Sequence, residues 1–230
     1  MSSALVQDEG RAVTFPVAAA GQERLCVGLM EMLHAAAQPL TIMQGRTDAL
    51  FVDQMEPDEL RGALHDAAKE AERLRVLFGY MQELVAAESA KPSLWAQPLA
   101  PALERVAEGL ETFLAETGVR LKVGVGAGLE MVFADRSRLE QALSRVVLVA
   151  YGLSLPSDTI EMMADVTPTG ARIVVRHERA RGGLKTEAKM KLALAEASVR
   201  SQRGELVWTT DPFSVELRLR KAPSVGQVLA

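Results

Sequence analysis

Cysteine and long apolar runs are scarce in this sequence, and each scarcity excludes a class of protein. Cys26 is the single cysteine among 230 residues, so neither an intrachain disulfide nor a metal site built from several cysteines can form. No apolar run approaches the roughly 20 residues that a membrane-spanning helix requires. The first residues, which include Asp8, Glu9 and Arg11, lack the basic and then apolar order of a signal peptide. We therefore expect a cytoplasmic protein without a membrane contact.

Basic charge and aromatic residues are also in short supply. The 26 Lys and Arg residues are outnumbered by 30 Asp and Glu residues, which gives a formal net charge of -4. Without a basic surplus to neutralise phosphates, nucleic acid is not an expected partner. Aromatic residues make up 4% of the chain and hydrophobic residues 48%. This composition favours helices that pack through small and aliphatic side chains.

Two long segments in the N-terminal half have a heptad pattern, which indicates a pair of helices. Residues 55–59 include Pro57 and acidic residues, as expected for a short turn that leads into the second helix. A short connection predicts antiparallel neighbours. One hairpin leaves the far side of its stripe exposed, and pairing two hairpins in a dimeric four-helix bundle would bury it. A homodimer is therefore expected; the alternative is that the C-terminal half covers the hairpin within one chain. The heptad positions are Cys26, Leu29, Leu33, Ala36, Leu40, Met43, Thr47 and Leu50 in the first segment and Leu60, Leu64, Ala67, Ala71, Leu74, Phe78, Met81 and Val85 in the second.

Beyond the hairpin, helical and strand patterns alternate, which indicates an α/β sandwich and an α+β chain overall. Helices are expected to cover one face of a mostly antiparallel sheet. The predicted helices span residues 99–117, 136–153 with Asp135 as N-cap, and 186–202. The predicted strands span residues 119–125, 131–133, 160–164, 171–177, 205–209 and 214–220. The predicted divisions are a leader at 1–20, the hairpin at 21–89, a proline-containing linker at 90–98, the sandwich at 99–222 and a tail at 223–230.

His34, on the first predicted helix, is a candidate for covalent chemistry. It lies one position beyond a heptad residue, on the predicted exposed flank, and Pro39 follows inside the helical pattern. Gln38 and Thr41 share that flank at spacings of four and seven residues. A neutral imidazole nitrogen placed there can attack a phosphoryl group. His34 is thus a candidate phosphoacceptor, with Gln38 and Thr41 as candidate partner-binding residues; the alternative is an ordinary surface histidine.

The hairpin, its histidine motif and the α/β order that follows resemble bacterial histidine kinases across about residues 22–221. That family combines a dimerisation and histidine phosphotransfer hairpin with a catalytic ATP-binding domain. His34 and Pro39 match the phosphoacceptor motif, although Ala35 stands where the family has an acidic residue. The framework of the helix that carries the family's asparagine box matches at Asp135, Leu139, Gln141 and Leu143.

The family's magnesium and adenine residues are not matched. The two asparagine positions of that helix fall on Arg145 and Val149, and valine has no oxygen with which to hold a magnesium ion. The Asp-x-Gly-x-Gly box, whose carboxylate reads the adenine amino group in the family, aligns with His177, Arg179 and Arg181. Arginines at the two glycine positions fill space that a nucleotide would need.

The family's second glycine-rich box and its ATP lid are missing as well. The box aligns with residues 189–193, Lys-Met-Lys-Leu-Ala, and residues 182–188 are too few for an ordinary lid. The resemblance therefore implies a degenerate domain that binds neither ATP nor another cofactor.

The function implied by this resemblance is histidine phosphotransfer in a two-component phosphorelay. His34 would accept phosphate from a response regulator receiver domain and pass it on, with Mg²⁺ supplied by the receiver. One alternative is a non-catalytic pseudo-histidine-kinase that binds and regulates a kinase or a response regulator. The second alternative is an active ATP-dependent sensor histidine kinase.

Three further features complete the predictions. Cys26 falls on a heptad position and is predicted to be a small core residue. His65 has no motif around it and is interpreted as solvated. A basic cluster in the C-terminal half is either a solvated face or a contact surface for an anion or an acidic protein. Its members are Arg176, Arg179, Arg181, Lys185, Lys189 and Lys191.

Overall fold

The computed structural model describes residues 17–49, 56–128, 131–179 and 183–221. Two long helices come first, α1 at Val17–Ala49 and α2 at Pro57–Ser89. α1 begins inside the segment predicted as a leader; residues 1–16 of that leader and the predicted tail lie outside the described residues. α2 begins at Pro57 because proline suits the first helical turn, and the Glu56 backbone N–H donates to the Glu59 carboxylate at 3.3 Å. The predicted helical hairpin is confirmed.

The heptad positions divide between two flanks of the hairpin, which corrects the single seam predicted from the sequence. Met32 and Ala36 of α1 pack against Leu74, Leu77 and Met81 of α2, and all five are buried. Eight other heptad positions, which repeat every seven residues, are exposed along the other flank. We call them the outer stripe: Cys26, Leu33, Leu40 and Thr47 of α1 with Leu64, Ala71, Phe78 and Val85 of α2.

Cys26 illustrates the physical reason for this correction. It is exposed, so the prediction of a core position is wrong for the single chain. Residues seven apart repeat on one flank of a helix, and α2 contacts the flank that carries Met32 and Ala36 instead. The two helices approach closely at Gly28, where an added Cβ would lie 3.0 Å from Leu84 Cδ2.

The α/β sandwich follows, with every predicted helix and strand present. Its main sheet has five strands in the order β2-β4-β5-β7-β6, in which β2 and β4 are parallel and the other neighbours are antiparallel. The bounds are β1 Trp95–Pro98, α3 Ala100–Glu116, β2 Arg120–Val125, β3 Met131–Ala134, α4 Arg136–Tyr151, β4 Thr159–Thr167, β5 Gly170–His177, α5 Thr186–Ser201, β6 Glu205–Thr210 and β7 Phe213–Arg220.

Strand β1 was not predicted. It occupies the end of the segment that was interpreted as a linker. It pairs antiparallel with β3 in a separate two-stranded sheet, where Ala96 lies opposite Phe133. The Gln97 side chain is buried and donates to the Ala134 carbonyl at 3.0 Å. Only the residues before Trp95 therefore connect the hairpin to the sandwich.

Side-chain alternation turns one face of the five-stranded sheet toward the three helices of the sandwich. In β5, Ala171, Ile173 and Val175 are buried, whereas Arg172 and Arg176 are exposed. One covered face is what the sequence predicted. The largest core side chains include Leu103 of α3, Leu139 and Leu143 of α4, Leu192 of α5 and Phe213 of β7.

Helix α5 joins the sandwich to the hairpin because it is buried on two sides. Leu192, Ala195 and Val199 pack into the sheet core. Met190, Leu194 and Ala197, on the other side, join the apolar cluster between α1 and α2. α5 thus packs against the hairpin as a third helix. Within the described residues, no helix is long and apolar enough to cross a bilayer.

Candidate functional site

His34 lines an open cleft between the hairpin and α5, with a volume of about 770 Å³. Its side chain is exposed, as predicted, because Met32 and Ala36 take the buried flank of α1. Gln38, one helical turn later, lines the same cleft. We call this the His34 cleft. Its polar side chains are Glu31, His34 and Gln38 of α1, Arg73 of α2, and Thr186 and Lys189 of α5.

Pro39 changes the backbone just beyond His34. It has no N–H, so the Ala35 carbonyl does not receive the usual helical hydrogen bond from the residue four positions later. Thr41 donates its hydroxyl to the Ala37 carbonyl at 2.9 Å. Thr41 is exposed on α1 but does not line the His34 cleft, so the structure brings together only His34 and Gln38 of the three predicted site residues.

Three charged residues of the His34 cleft were not singled out as part of this site. Glu31 lies three positions before His34 on one helix, and this spacing could have been recognised in the sequence. Ala35, at the position where histidine kinases have an acidic residue, is only partly exposed. Arg73 and Lys189 reach the cleft from α2 and α5, and only tertiary packing brings them there.

Arg138 of the α/β sandwich forms hydrogen bonds with the C-terminal end of α2. Arg138 Nη1 donates to the Ala87 carbonyl at 3.0 Å and to Ser201 Oγ at 2.7 Å. Its Nη2 donates to the Ala90 carbonyl at 2.9 Å. The last carbonyls of a helix have no partner within the helix, so this guanidinium satisfies acceptors that α2 cannot satisfy itself.

Two ion pairs extend this contact along α2. Arg145 of α4 lies 2.5 Å from the Glu83 carboxylate, and Arg200 of α5 pairs with Glu88. Together with the contacts of Arg138 and the apolar side of α5, they form what we call the docking interface. Its polar members are partly exposed, so the apolar contacts carry most of its free energy.

Tyr80 adds a hydrogen bond to the docking interface. Its hydroxyl donates to Glu187 Oε1 at 3.4 Å, close to the limit for such a bond. Burial raises the pKa of Tyr80 to about 12, and the negative charge of Glu187 adds to the effect. The pKa of Glu187 is lowered, chiefly by its hydrogen bond with Lys191. At neutral pH the phenol is therefore a donor and the carboxylate an acceptor.

Comparison with known proteins identifies the fold. Neither a protein-family model nor a curated protein sequence matches the chain. Histidine kinase AdeS of Acinetobacter baumannii is 18% identical with a TM-score of 0.56, over 82% of this chain and 97% of that one. Histidine kinase ThkA, crystallised with the response regulator TrrA, is 16% identical with a TM-score of 0.65, over 88% of this chain and 64% of that one. Full-length ShkA, in complex with AMPPNP, is 16% identical with a TM-score of 0.56, over 85% of this chain and 47% of that one.

The chain has the fold of a histidine kinase core. The predicted fold, a helical hairpin followed by an α/β sandwich, is confirmed by these likenesses. Because the sequence identity is so low, these likenesses establish only the fold. The chemistry of the sites is inferred from the side chains of this chain.

In this histidine kinase fold, the positions aligned with the asparagine box serve packing and docking. Val149 is 2% exposed and belongs to the core of the sandwich. Arg145 points toward the hairpin, where it pairs with Glu83. Asp135, the predicted N-cap of α4, accepts a hydrogen bond from the Arg138 backbone N–H at 3.2 Å, which confirms that prediction.

His177, at the position aligned with the adenine-reading aspartate, is buried in this histidine kinase fold. Its Nδ1 accepts from the Arg179 backbone N–H at 3.2 Å, so in the neutral ring the proton lies on Nε2. That nitrogen is 3.4 Å from Asp158 Oδ2, and Arg179 Nη1 is 3.6 Å from Asp158 Oδ1. In the described residues there is no group of three or more His, Cys, Asp or Glu that could hold a metal ion.

The basic cluster predicted from the sequence has varied surroundings. Arg179 pairs with Asp158, and Lys191 lies 2.9 Å from Glu187 Oε1. Lys189 lines the His34 cleft, whereas Arg181 lies outside the described residues. Among the described members of the cluster, Lys189 is thus the one that lines the cleft with His34.

Proposed function

We propose that this protein is a histidine phosphotransfer protein of a two-component phosphorelay. His34 accepts phosphate from a response regulator receiver domain and passes it to another. The observation that carries the proposal is an exposed histidine, followed by Pro39, that lines an open cleft in a histidine kinase fold. The crystallisation of ThkA with the response regulator TrrA supports a receiver as the partner.

The transfer needs an exposed and unprotonated imidazole nitrogen on this chain. That nitrogen attacks the phosphorus of an aspartyl phosphate, the bond between phosphorus and the carboxylate oxygen breaks, and the carboxylate leaves. The proton on the other ring nitrogen then passes to solvent. Gln38 lines the cleft with His34, and Thr41 is exposed about two turns beyond His34 on α1; both can contact the receiver. Mg²⁺ belongs to the receiver and needs no ligand from this chain.

Phosphotransfer without ATP is the second part of the proposal. Val149 supplies no oxygen for a metal ion, and Arg145 is engaged by Glu83. The helices α4 and α5 that would border a nucleotide are held against α2 by the docking interface. We expect calorimetry with Mg-ATP to show no binding at micromolar concentrations; binding would instead support an active kinase.

A homodimer is the third part, and the outer stripe supports it. The sequence left open whether the C-terminal half covers the hairpin within one chain. The sandwich does cover the hairpin, through α5, but on the flank of Met32 and Leu74. Leu33 and Phe78 of the outer stripe stay 53% and 50% exposed. A contiguous apolar surface of this kind marks an interaction site.

Incubation with a receiver domain that carries a labelled aspartyl phosphate tests the phosphotransfer. We expect label on the wild-type chain, label on the His65→Ala control, and none on His34→Ala. His65 is a suitable control because it is also exposed, on α2. A wild-type chain without label would sink the proposal. If that chain still bound the receiver, and His34→Ala bound it equally, the protein would be a non-catalytic pseudo-histidine-kinase.

A further inference from the structure

Two cations from different helices reach the His34 cleft. Arg73 comes from α2 and Lys189 from the first turns of α5. Arg73 Nη1 lies 3.7 Å from Glu70 Oε2, one turn earlier on α2, a distance too long for a hydrogen bond. For Lys189, no ion pair occurs within the described parts of the chain, although Lys191 on the same helix is paired with Glu187. Lys189 is therefore available to an anion in the cleft, and the half-exposed Arg73 side chain can contact one as well, because its ion pair with Glu70 is long.

The charged side chains that line the His34 cleft give it a net positive charge, which favours the binding of an anionic group. Its charged side chains are Glu31, Arg73 and Lys189, two positive and one negative. A phosphoryl group carries a charge of roughly -1.5 to -2 at neutral pH. The apolar part of the cleft wall includes Met30, which is 67% exposed, and the buried Met190.

We propose that the His34 cleft is the binding site of the phosphoryl group that His34 carries, with Arg73 and Lys189 as its cationic ligands. This inference rests on the proposed phosphotransfer function and deepens it. The α/β sandwich then takes a direct part in phosphotransfer, because α5 supplies one of the two cations. Thr186, at the start of α5, adds a hydroxyl donor to the same wall of the cleft.

The ionisation of the phosphoryl group provides a measurement that a merely structural lysine would not change. Nearby cations favour the dianion, so they lower the second pKa of the phosphoryl group. Potassium phosphoramidate can place this group on the histidine without a receiver. The ring nitrogen attacks phosphorus, the phosphorus–nitrogen bond of the reagent breaks, and ammonia leaves with the proton that the ring gives up. A His65→Ala background leaves His34 as the exposed histidine, since His177 is buried.

Phosphorus NMR of the labelled protein between pH 6 and 9 gives the midpoint of this ionisation. We expect Lys189→Gln and Arg73→Gln each to raise the midpoint by about half a pH unit, a threefold change typical of a partly exposed ion pair. The double variant should shift by about one unit. Lys189→Arg should restore the wild-type midpoint, and Lys191→Gln, the same change on the same helix, should leave it unaltered.

Equal midpoints in the wild type, Lys189→Gln and Arg73→Gln would overturn the site. A His34 that phosphoramidate leaves unlabelled would also overturn it, because the ring would then not open into the cleft. Neither result depends on a receiver. A receiver that fails to transfer phosphate, together with shifted midpoints, would instead contradict the proposed function and leave the anion site standing.

Discussion

Tyr80 is a residue whose ionisation is strongly changed by the contact between α2 and α5. Burial has the largest effect on its pKa, which rises to about 12, and the carboxylates of Glu187 and Glu83 raise it further. Arg145 acts in the opposite direction. An unfolded chain would have the ordinary tyrosine value of about 10. Folding therefore favours the protonated phenol, and the folded state holds its proton to a higher pH than the unfolded state does.

The first prediction follows from this difference. Below pH 10 both states are protonated, and the contribution of Tyr80 to stability is fully present. It is lost as the pH rises from about 10 toward 12, because the unfolded state releases its proton first. We expect urea unfolding at pH 9, 10 and 11 to show a steeper loss of stability in the wild type than in Tyr80→Phe. Parallel slopes for wild type and Tyr80→Phe would contradict the prediction.

At the same scale, helix periodicity predicted the exposure of His34 and Gln38, and the cap at Asp135. These properties depend on residues close in the chain, so sequence spacing is sufficient to infer them. The approach of Arg73 and Lys189 to His34 could not be predicted in this way. The position of Arg73 depends on how α2 packs against α1, and that of Lys189 on how α5 packs on the hairpin, and long-range contacts determine both.

At the scale of elements, α5 packs against both the hairpin and the sheet of the sandwich. The residues that face the hairpin and those that face the sheet alternate along it, so its sequence has no single polar side. The pattern predicted a helix correctly but could not show that two separate apolar surfaces bury it. The strand β1 was missed for a related reason. Its four residues, Trp-Ala-Gln-Pro, have a proline at one end and gain strand structure by pairing with β3.

The second prediction concerns the apolar part of the docking interface. Leu194 is 1% exposed and faces the cluster between α1 and α2. We expect Leu194→Ala to lower the free energy of unfolding by about 2–5 kcal/mol, as for other buried leucines that leave a cavity. Leu155→Ala, at a position that is 72% exposed, should change it by less than about 0.5 kcal/mol. Urea denaturation followed by circular dichroism measures both. A value near zero for Leu194→Ala would mean that α5 does not pack on the hairpin in solution.

At the scale of the whole molecule, the hairpin uses its flanks for different purposes. The flank with Met32 and Leu74 is covered by α5, and His34 opens into the cleft beside that contact. The outer stripe remains exposed on another flank. The heptad pattern predicted both apolar flanks as one seam, because the spacing of residues along a helix does not show which partner covers which flank. A second hairpin can therefore bind without displacing α5 from the first.

The third prediction tests this arrangement through the oligomeric state. Phe78 lies in the middle of the outer stripe on α2, 50% exposed in the single chain, whereas His34 is on α1. In a symmetric dimer, Phe78→Glu would place an unpaired carboxylate in the apolar seam of each copy, at a cost of several kilocalories per mole. Sedimentation equilibrium should therefore give twice the chain mass for the wild type and the mass of one chain for Phe78→Glu. Leu155→Glu introduces the same charge at an exposed position outside the hairpin and should remain dimeric. A wild-type protein that sediments as a monomer, or a Phe78→Glu variant that stays dimeric with native helix content, would show that the outer stripe is not the dimer interface.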